Sequence, residues 1–290
     1  MKDNIPLILN CSMPRSGSTL LQNLLAQNPA HHCTSTNGLL DILVGVRDRW
    51  MQCTEFVAQG LRNIEPRIRL GLRGFIHGFY ENEIAAGKTI FDKSRGWLHN
   101  LPLIENILER PVKVIVAVRD VRDVLASFEK IYRSSSLTDH PLPPDQAIQR
   151  LTVQARAERL LQPQNTVGYM LASIHGAFEA GLQDRLVIVP YRELTHDPVL
   201  TIKRVCFECG IEPFDCDPSN VAQATKEDDT VYGMYDLHHT RPVVEPDEGD
   251  AWRGILPESY AAHVDQQLSF TQSLARRTHL KPRREAAIGV

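Results

Sequence analysis

The fold of this 290-residue chain is decided by the stretch Pro6-Leu-Ile-Leu-Asn-Cys-Ser-Met-Pro-Arg-Ser-Gly-Ser-Thr-Leu-Leu-Gln-Asn-Leu-Leu-Ala-Gln-Asn28. Its short apolar run, residues 7–9, predicts a strand, and the small residues after it predict a loop. From residue 19 onward, leucines recur at helical spacing. The stretch therefore predicts a strand, a loop and a helix.

The loop offers groups that bind an anion. Gly17 permits close approach of the backbone, Ser16, Ser18 and Thr19 carry hydroxyl groups, and Arg15 adds a permanent forked cation. The loop also leads into a helix N-terminus, where unpaired amides and the helix dipole favour negative charge. We expect a phosphate or sulfate group here, although the same corner can occur simply because it caps a helix well.

Comparison with the nucleoside triphosphate loop, Gly-x-x-x-x-Gly-Lys-Ser/Thr, narrows the expected anion. With Gly17 as the second glycine, the first glycine is replaced by Ser12 and the lysine by Ser18. The lysine that neutralises the β- and γ-phosphates is therefore missing. The loop suits a 5′-phosphate or a phosphosulfate better than a magnesium triphosphate.

Composition is that of an ordinary globular protein, with 42% hydrophobic residues, 23% charged residues and a net charge of −3. This balance provides no bulk attraction to nucleic acid or to an anionic membrane. Neither a signal peptide nor an apolar run of membrane-spanning length is evident. We expect a cytoplasmic protein with no nucleic-acid partner and no membrane span.

Six cysteines are too few in a chain of this length to form a disulfide framework, and we expect free thiols. Cys206-Phe-Glu-Cys209 matches a redox or half-zinc spacing, but no second pair of ligands follows at suitable spacing. Packing of these thiols as small apolar groups on a helix is the favoured interpretation. No metal site is predicted.

Strands are predicted near residues 7, 88, 112 and 186, each followed by a helix, and residues 31–38 form a further strand or a loop. Predicted helices cover residues 39–61, 66–86, 98–108, 121–132, 146–161, 167–180 and 198–209. The alternation predicts an α/β fold with a P-loop-like, doubly wound parallel sheet of four to five strands flanked by helices. We expect one domain over residues 1–275 and a basic tail over residues 276–290.

In such sheets, ligands gather at the carboxyl ends of the strands. Arg15, Lys93, Arg119 and Tyr191 all follow or end a predicted strand, so we expect them to lie at one edge. The acidic and aperiodic residues 223–249 form a long loop, of the kind that is usually functional or disordered.

Two motifs give the chain a resemblance to the sulfotransferases that use 3′-phosphoadenosine 5′-phosphosulfate (PAPS). Pro14-Arg-Ser-Gly-Ser-Thr-Leu-Leu21 is similar to their 5′-phosphosulfate loop, in the form found in the tyrosylprotein and related bacterial branch. Arg119-Asp-Val-Arg-Asp-Val-Leu-Ala-Ser127 is similar to their 3′-phosphate motif. Weaker matches are Phe91-Asp-Lys93, Val189-Pro-Tyr191 and Thr240-Arg241-Pro242.

The resemblance implies in-line transfer of a sulfuryl group from PAPS to a hydroxyl or amine, without a metal, leaving 3′,5′-adenosine bisphosphate (PAP). Lys93 and Arg15 would stabilise the departing bridging oxygen, and the amides of residues 16–19 would hold the 5′-phosphate. Arg119 and Ser127 would hold the 3′-phosphate. Tyr191 and Arg241 would lie near the nucleotide.

A general base for the acceptor is not evident. The resemblance implies a glutamate shortly after the first helix, but Thr34-Ser-Thr-Asn-Gly-Leu-Leu-Asp41 contains none. Asp41 is the candidate substitute, followed by His77 and His99. The acceptor class is open, and a homodimer is possible.

Two other functions remain open at this point. A small-molecule kinase using ATP and Mg²⁺ would need a lysine where Ser18 stands. A non-catalytic nucleotide-binding homologue would account for the missing glutamate.

Overall fold

A computed structural model of the chain describes residues 5–135, 152–232 and 237–277. Its sheet has five strands, β1 (Leu7–Asn10), β2 (His31–Thr36), β3 (Thr89–Lys93), β4 (Val114–Val118) and β5 (Leu186–Pro190). Their order is β2-β3-β1-β4-β5, and every neighbouring pair is parallel. The α/β class and the flanked parallel sheet are thus confirmed, with five strands.

Thirteen α-helices lie in the described residues. They are α1 (Ser18–Leu25), α2 (Leu39–Met51), α3 (Thr54–Gln59), α4 (Leu61–Phe79), α5 (Glu81–Ala85), α6 (Leu101–Leu108), α7 (Val121–Ser135), α8 (Val153–Leu161), α9 (Thr166–Glu179), α10 (Tyr191–His196), α11 (Pro198–Cys209), α12 (Glu258–Gln267) and α13 (Ser269–Ala275).

The two faces of the sheet support separate apolar cores. In β4, Val114, Val116 and Val118 pack into one core, together with residues of α2, α4, α6, α7, α9, α12 and α13. Ile115 and Ala117 pack into the other core, together with residues of α1, α10 and α11. Since successive side chains of a strand point to opposite faces, a central strand must be apolar throughout. This requirement explains the unbroken apolar runs in the sequence.

Register brings polar strand ends together. Asn10 at the end of β1 is paired with Lys93 at the end of β3, and β4 lies on the other side of β1. Because all strands run in the same direction, the loop after β1, Lys93 and the loop after β4 share one edge of the sheet. The site is built at this edge.

The helical region after β2 differs from expectation. The predicted single helix over residues 39–61 is two helices, α2 and α3, with Cys53 in an extended conformation between them. Gly60, at φ 85°, then separates α3 from α4, which begins five residues before Pro66. Helical periodicity continues across these breaks, and therefore could not reveal them.

Three other predicted segments lie partly outside the described residues. Helix α8 begins at Val153, where the Thr152 hydroxyl accepts a hydrogen bond from the Ala155 amide at 3.0 Å; the predicted residues 146–151 lie outside the described part. Most of the basic tail, residues 278–290, also lies outside it. Residues 223–249 are mainly irregular where they are described, with one short 3-10 turn, Asp229–Tyr232.

None of the helices in residues 5–135, 152–232 and 237–277 has the length and apolar character needed to span a lipid bilayer. All six cysteines are free. Burial raises the pKa of Cys206 to about 11 and that of Cys209 to about 12, so neither thiol of the Cys-x-x-Cys pair is readily ionised.

Gly17→Ala is expected to destabilise the fold. Gly17 has φ 83°, and an added Cβ would lie 2.6 Å from Cδ2 of Tyr191. The left-handed conformation alone costs a residue with a Cβ about 1–2 kcal/mol, and the contact adds to this cost. Urea unfolding should therefore show a lower midpoint for Gly17→Ala.

Gly45→Ala is the matched control. Gly45 lies inside α2, and an added Cβ would contact nothing within 4 Å. Alanine is favoured over glycine by about 1 kcal/mol in a helix interior, so this variant should be at least as stable as the parent. A Gly17→Ala protein as stable as Gly45→Ala would contradict the tight packing of this loop.

Candidate functional site

The loop between β1 and α1 forms one wall of a cleft of about 1470 Å³. Gly17 adopts a left-handed conformation, and α1 begins at Ser18 without a side-chain hydrogen bond to cap it. The first amides of α1 are therefore available to an anion in the cleft. Tyr191, from the start of α10, packs its ring against Gly17 and fixes the shape of the loop.

The hydroxyl of Ser16 is not available as a ligand. It is fully buried and donates to the carbonyl oxygens of Met13 at 2.6 Å and Ala117 at 3.0 Å. This corrects the expectation of three hydroxyl donors, because Ser16 uses its hydroxyl to hold the loop against β4. Its backbone amide can still take part in binding, while Ser18 and Thr19 line the cleft.

Arg15 turns into the cleft from a strained backbone position, with φ 58°. Its Nε donates to the Ser127 hydroxyl on α7 at 3.0 Å, and its guanidinium also donates to the carbonyl oxygen of Leu237. Ser127 and Arg15 therefore belong to one polar cluster, although they are 112 positions apart in the sequence.

Arg119, directly after β4, completes that cluster. Its guanidinium lies 4.3 Å from the centre of the Tyr191 ring, donates to the Arg15 carbonyl oxygen at 3.4 Å, and donates to Oδ1 of Asp247 at 2.7 Å. Its Nε is one of the buried polar atoms that have no partner among the described residues. An unpaired buried N–H of a cation is suited to an additional anionic ligand.

Lys93, the last residue of β3, provides the third cation. Its Nζ lies 3.2 Å from Oε1 of Glu227 and 3.4 Å from the Thr19 hydroxyl. Burial lowers the pKa of Lys93, while the charge of Glu227 opposes that shift. Since the side chains of Lys93 and Glu227 are only 9% and 5% exposed, this ion pair is shielded from solvent.

Glu227 is a residue that the sequence analysis missed. Its Oε1 accepts hydrogen bonds from the Thr36 amide at 2.8 Å and from the Thr36 hydroxyl at 3.0 Å. Burial raises the pKa of Glu227, but Lys93 and Thr36 outweigh it and leave the pKa below its usual value. A carboxylate thus stands beside the segment that lacks a glutamate of its own, supplied from the irregular segment near the end of the chain.

His238 also comes from that segment. Its Nδ1 lies 2.5 Å from Oδ1 of Asp229 and 3.4 Å from Oε2 of Glu227. The hydroxyl of Tyr232 donates to the same Oε2 at 3.2 Å. Lys93, Glu227, His238 and Asp229 therefore form a continuous chain of charged and polar groups.

The proposed substitutes for the base lie elsewhere. Asp41 is exposed on α2, His77 is half-buried on α4, and His99 is exposed beside the Tyr169 ring. Among the described residues that line the cleft, none of these three is found. The reason is that α2 and α4 pack on the sheet face through their apolar residues, which leaves Asp41 and His77 away from the strand ends.

Arg241 lies at the margin of the cleft. Its side chain is 74% exposed and forms an ion pair with Glu245. Arg241 therefore contributes less to the cluster of buried cations than Arg15, Lys93 and Arg119 do. Within the described part of the chain, no group of three or more histidine, cysteine, aspartate and glutamate side chains is arranged to hold a metal ion.

Comparison with known structures gives the same architecture. The sulfotransferase domain of the Synechococcus PCC 7002 olefin synthase is 18% identical and superimposes with a TM-score of 0.53, covering 94% of this chain and 95% of that domain. The sulfotransferase domain from the curacin biosynthetic pathway is 17% identical, with a TM-score of 0.51 and coverage of 91% and 96%. At these identities, the likeness establishes the fold. No curated protein is significantly similar in sequence.

A model of the sulfotransferase family matches residues 6–215, which include the anion loop, Lys93, Arg119 and Tyr191. The match ends before Glu227, so the segment that supplies the partners of these cations lies beyond it. This match covers more than half of the chain. The chain therefore belongs to the sulfotransferase family, whose members are enzymes that transfer sulfuryl groups.

Proposed function

We propose that the sulfuryl donor of this enzyme is PAPS. The observation that carries the proposal is the convergence of Arg15, Lys93 and Arg119 on the uncapped N-terminus of α1. A ligand that uses all three cations needs negative charge in at least two places. The 5′-phosphosulfate and the 3′-phosphate of PAPS meet this requirement.

The proposed binding mode follows from the positions of the donors. The amides of residues 16–19 and the hydroxyls of Ser18 and Thr19 face the 5′-phosphosulfate. Arg119, with its unpaired Nε, and Ser127 face the 3′-phosphate, and Arg15 lies between the two groups. Tyr191 supports both the loop and Arg119, and Arg241 can add a contact from the exposed margin of the cleft.

In this mode Lys93 assists departure of the leaving group. In-line transfer breaks the bond between sulfur and the bridging oxygen, and the electron pair remains on the phosphate of PAP. The ammonium group of Lys93 and the guanidinium of Arg15 stabilise that charge in a partly buried site, where electrostatic interactions are strong. The step needs no redox partner.

The structure gives no support to the kinase alternative, because Ser18 is the first residue of α1 and no lysine occupies that position. Free thiols at all six cysteines support a reducing, cytoplasmic location. The acceptor in this proposal is a hydroxyl or an amine.

Each of the three cations contacts oxygens of the protein. Lys93 contacts the Glu227 carboxylate, Arg119 contacts the Asp247 carboxylate, and Arg15 contacts the Leu237 carbonyl and the Ser127 hydroxyl. At Arg15 and Arg119 the donor must therefore compete with the Leu237 and Asp247 oxygens, while the Glu227 carboxylate can stay beside Lys93. Asp247 is the competitor at the proposed 3′-phosphate position.

Binding of PAP, measured by isothermal titration calorimetry, tests the donor assignment. Arg119→Ala should weaken binding by about 10- to 100-fold, the effect of losing charge-assisted hydrogen bonds of about 1.5–3 kcal/mol. Asp247→Asn should strengthen binding, because it removes the carboxylate that holds Arg119 at 2.7 Å. Glu248→Gln, an exposed carboxylate next to Asp247 that does not line the cleft, is the control and should leave affinity unchanged.

Two results would reject PAPS as the donor. One is failure of the native protein to bind PAP, and the other is tighter binding of MgATP than of PAP. Arg241→Ala serves as a further comparison, since an exposed arginine should contribute less than Arg119.

Lys93→Ala should slow conversion of PAPS to PAP by about 10²- to 10³-fold, the usual effect of removing one donor that stabilises a developing negative charge. PAP affinity should change much less than the rate. Because the substitution leaves Glu227 buried without its counter-charge, unfolding should be measured in parallel, with Lys93→Ala/Glu227→Gln as the variant that removes both charges. A native rate in a folded Lys93→Ala protein would exclude this role.

A further inference from the structure

From the geometry around Lys93, we infer that His238 is the general base that accepts the proton of the acceptor, and that Asp229 is its positioning residue. This inference rests on the proposed function. It replaces Asp41, His77 and His99 as candidates, none of which lines the cleft.

Asp229 holds the imidazole at two points. Its Oδ1 lies 2.5 Å from Nδ1 of His238, and its Oδ2 accepts a hydrogen bond from the His238 amide at 3.0 Å. A ring that donates its Nδ1–H to a carboxylate keeps Nε2 unprotonated, with a lone pair ready to accept a proton. Asp229 therefore sets both the orientation and the tautomer of His238.

The other ring nitrogen, Nε2, is not used by Asp229. His238 is one of the residues that line the cleft. Among residues 5–135, 152–232 and 237–277, Nε2 of His238 has no hydrogen-bond partner. The fully buried atoms without a partner in these residues are Nε of Arg119, Nε of Arg204 and the Tyr260 hydroxyl, so Nε2 is not fully buried. Because His238 lines the cleft and its Nδ1 is taken by Asp229, Nε2 is the ring nitrogen left to contact an acceptor.

His238 also lies close to Lys93, the residue that the proposed function places at the leaving group. One carboxylate, that of Glu227, separates His238 from Lys93, with Nδ1 3.4 Å from Oε2 and Nζ 3.2 Å from Oε1. In an in-line transfer, the entering and leaving oxygens lie on opposite sides of the sulfur. Because only the Glu227 carboxylate separates them, Lys93 can stabilise the leaving oxygen while His238 accepts the proton of the entering oxygen.

The charges of the surroundings favour a neutral ring before the reaction. Burial lowers the pKa of His238, Lys93 lowers it further, and Asp229 and Glu227 only partly oppose these effects. Tyr232 packs its ring edge against the imidazole, with 5.7 Å between ring centres. At neutral pH the imidazole is thus in the form that a base requires.

The step balances. The acceptor oxygen forms a bond to sulfur, its proton moves to Nε2 of His238, and the bond from sulfur to the bridging oxygen breaks with its electron pair left on PAP. The products are the sulfate ester, PAP and an imidazolium ion. Asp229 and Glu227 stabilise the imidazolium until its proton passes to solvent.

His238→Asn is the decisive variant, because its amide N–H can take the place of Nδ1–H towards Asp229 but cannot accept a proton. Three acceptors would be compared by PAP formation from PAPS: phenol, water and 4-nitrophenol, which is far more acidic than phenol and partly ionised near neutral pH. His238→Asn should slow transfer to phenol and water by about 10²- to 10⁴-fold, the usual contribution of a general base. Transfer to 4-nitrophenol should fall much less, and PAP affinity should be retained.

His175→Asn, which changes an exposed histidine on α9, is the matched control and should transfer at the native rate.

The tautomer of His238 provides a readout that needs no acceptor. Nitrogen-15 NMR of labelled histidine should show His238 protonated at Nδ1 in the native protein. Asp229→Asn should lower the apparent pKa that His238 shows on the acid side of the pH–rate profile, because it removes a negative charge that favours the imidazolium.

A protonated Nε2 in the native protein, or equal rates of native and His238→Asn protein with phenol or water, would overturn the assignment. Failure of the proposed function has a different signature: the native protein would not bind PAP, or would form no PAP from PAPS with any of the three acceptors. Loss of transfer to all three acceptors in equal proportion, together with loss of PAP affinity, would show that His238 has a structural role only.

Discussion

Neutralisation of three neighbouring cations is the constraint on which the site depends. Arg15, Lys93 and Arg119 follow or end β1, β3 and β4, which are adjacent in the sheet and run in the same direction. Parallel pairing therefore brings their charges to one edge. Like charges in a partly buried site repel one another strongly and lose hydration, so each needs an anionic or carbonyl partner nearby.

The irregular segment after α11 supplies these partners. Glu227 pairs with Lys93, the Leu237 carbonyl with Arg15, and Asp247 with Arg119. The segment has little regular secondary structure to order it, so these ionic contacts contribute to its position over the cleft. In the proposed binding mode, a donor that replaces the oxygens at Arg15 and Arg119 also removes contacts that hold this segment, so donor binding and the conformation of the segment would be linked.

The sequence predicted the parts of the site that local patterns specify. Buried parallel strands appear as continuous apolar runs, and the polar residues after them, including Arg15, Lys93 and Arg119, must lie at the carboxyl edge. The two motifs that resemble the phosphate-binding motifs of sulfotransferases are short, and each lies at a strand end. Local periodicity could not reveal the breaks near Cys53 and Gly60, because apolar spacing continues through them.

The partners of the cations could not be found in the same way. Glu227 contacts Thr36 across 191 positions and Lys93 across 134 positions, and it belongs to a segment without periodicity. No pattern fixes where such a segment returns to the sheet. Its acidic composition and its histidines were the available signal, but the same composition is typical of a solvated loop.

The chain of groups from Lys93 through Glu227 and His238 to Asp229 explains why one carboxylate can serve two stages of transfer. Before transfer, Glu227 balances Lys93, while burial and Lys93 keep the imidazole neutral. In the proposed transfer, negative charge develops on the bridging oxygen near Lys93, and positive charge develops on His238. Glu227 lies within 3.4 Å of the imidazole and already faces it, so the carboxylate stabilises the new cation without moving. A site whose charges are already in place for the transition state has little reorganisation to complete during the reaction.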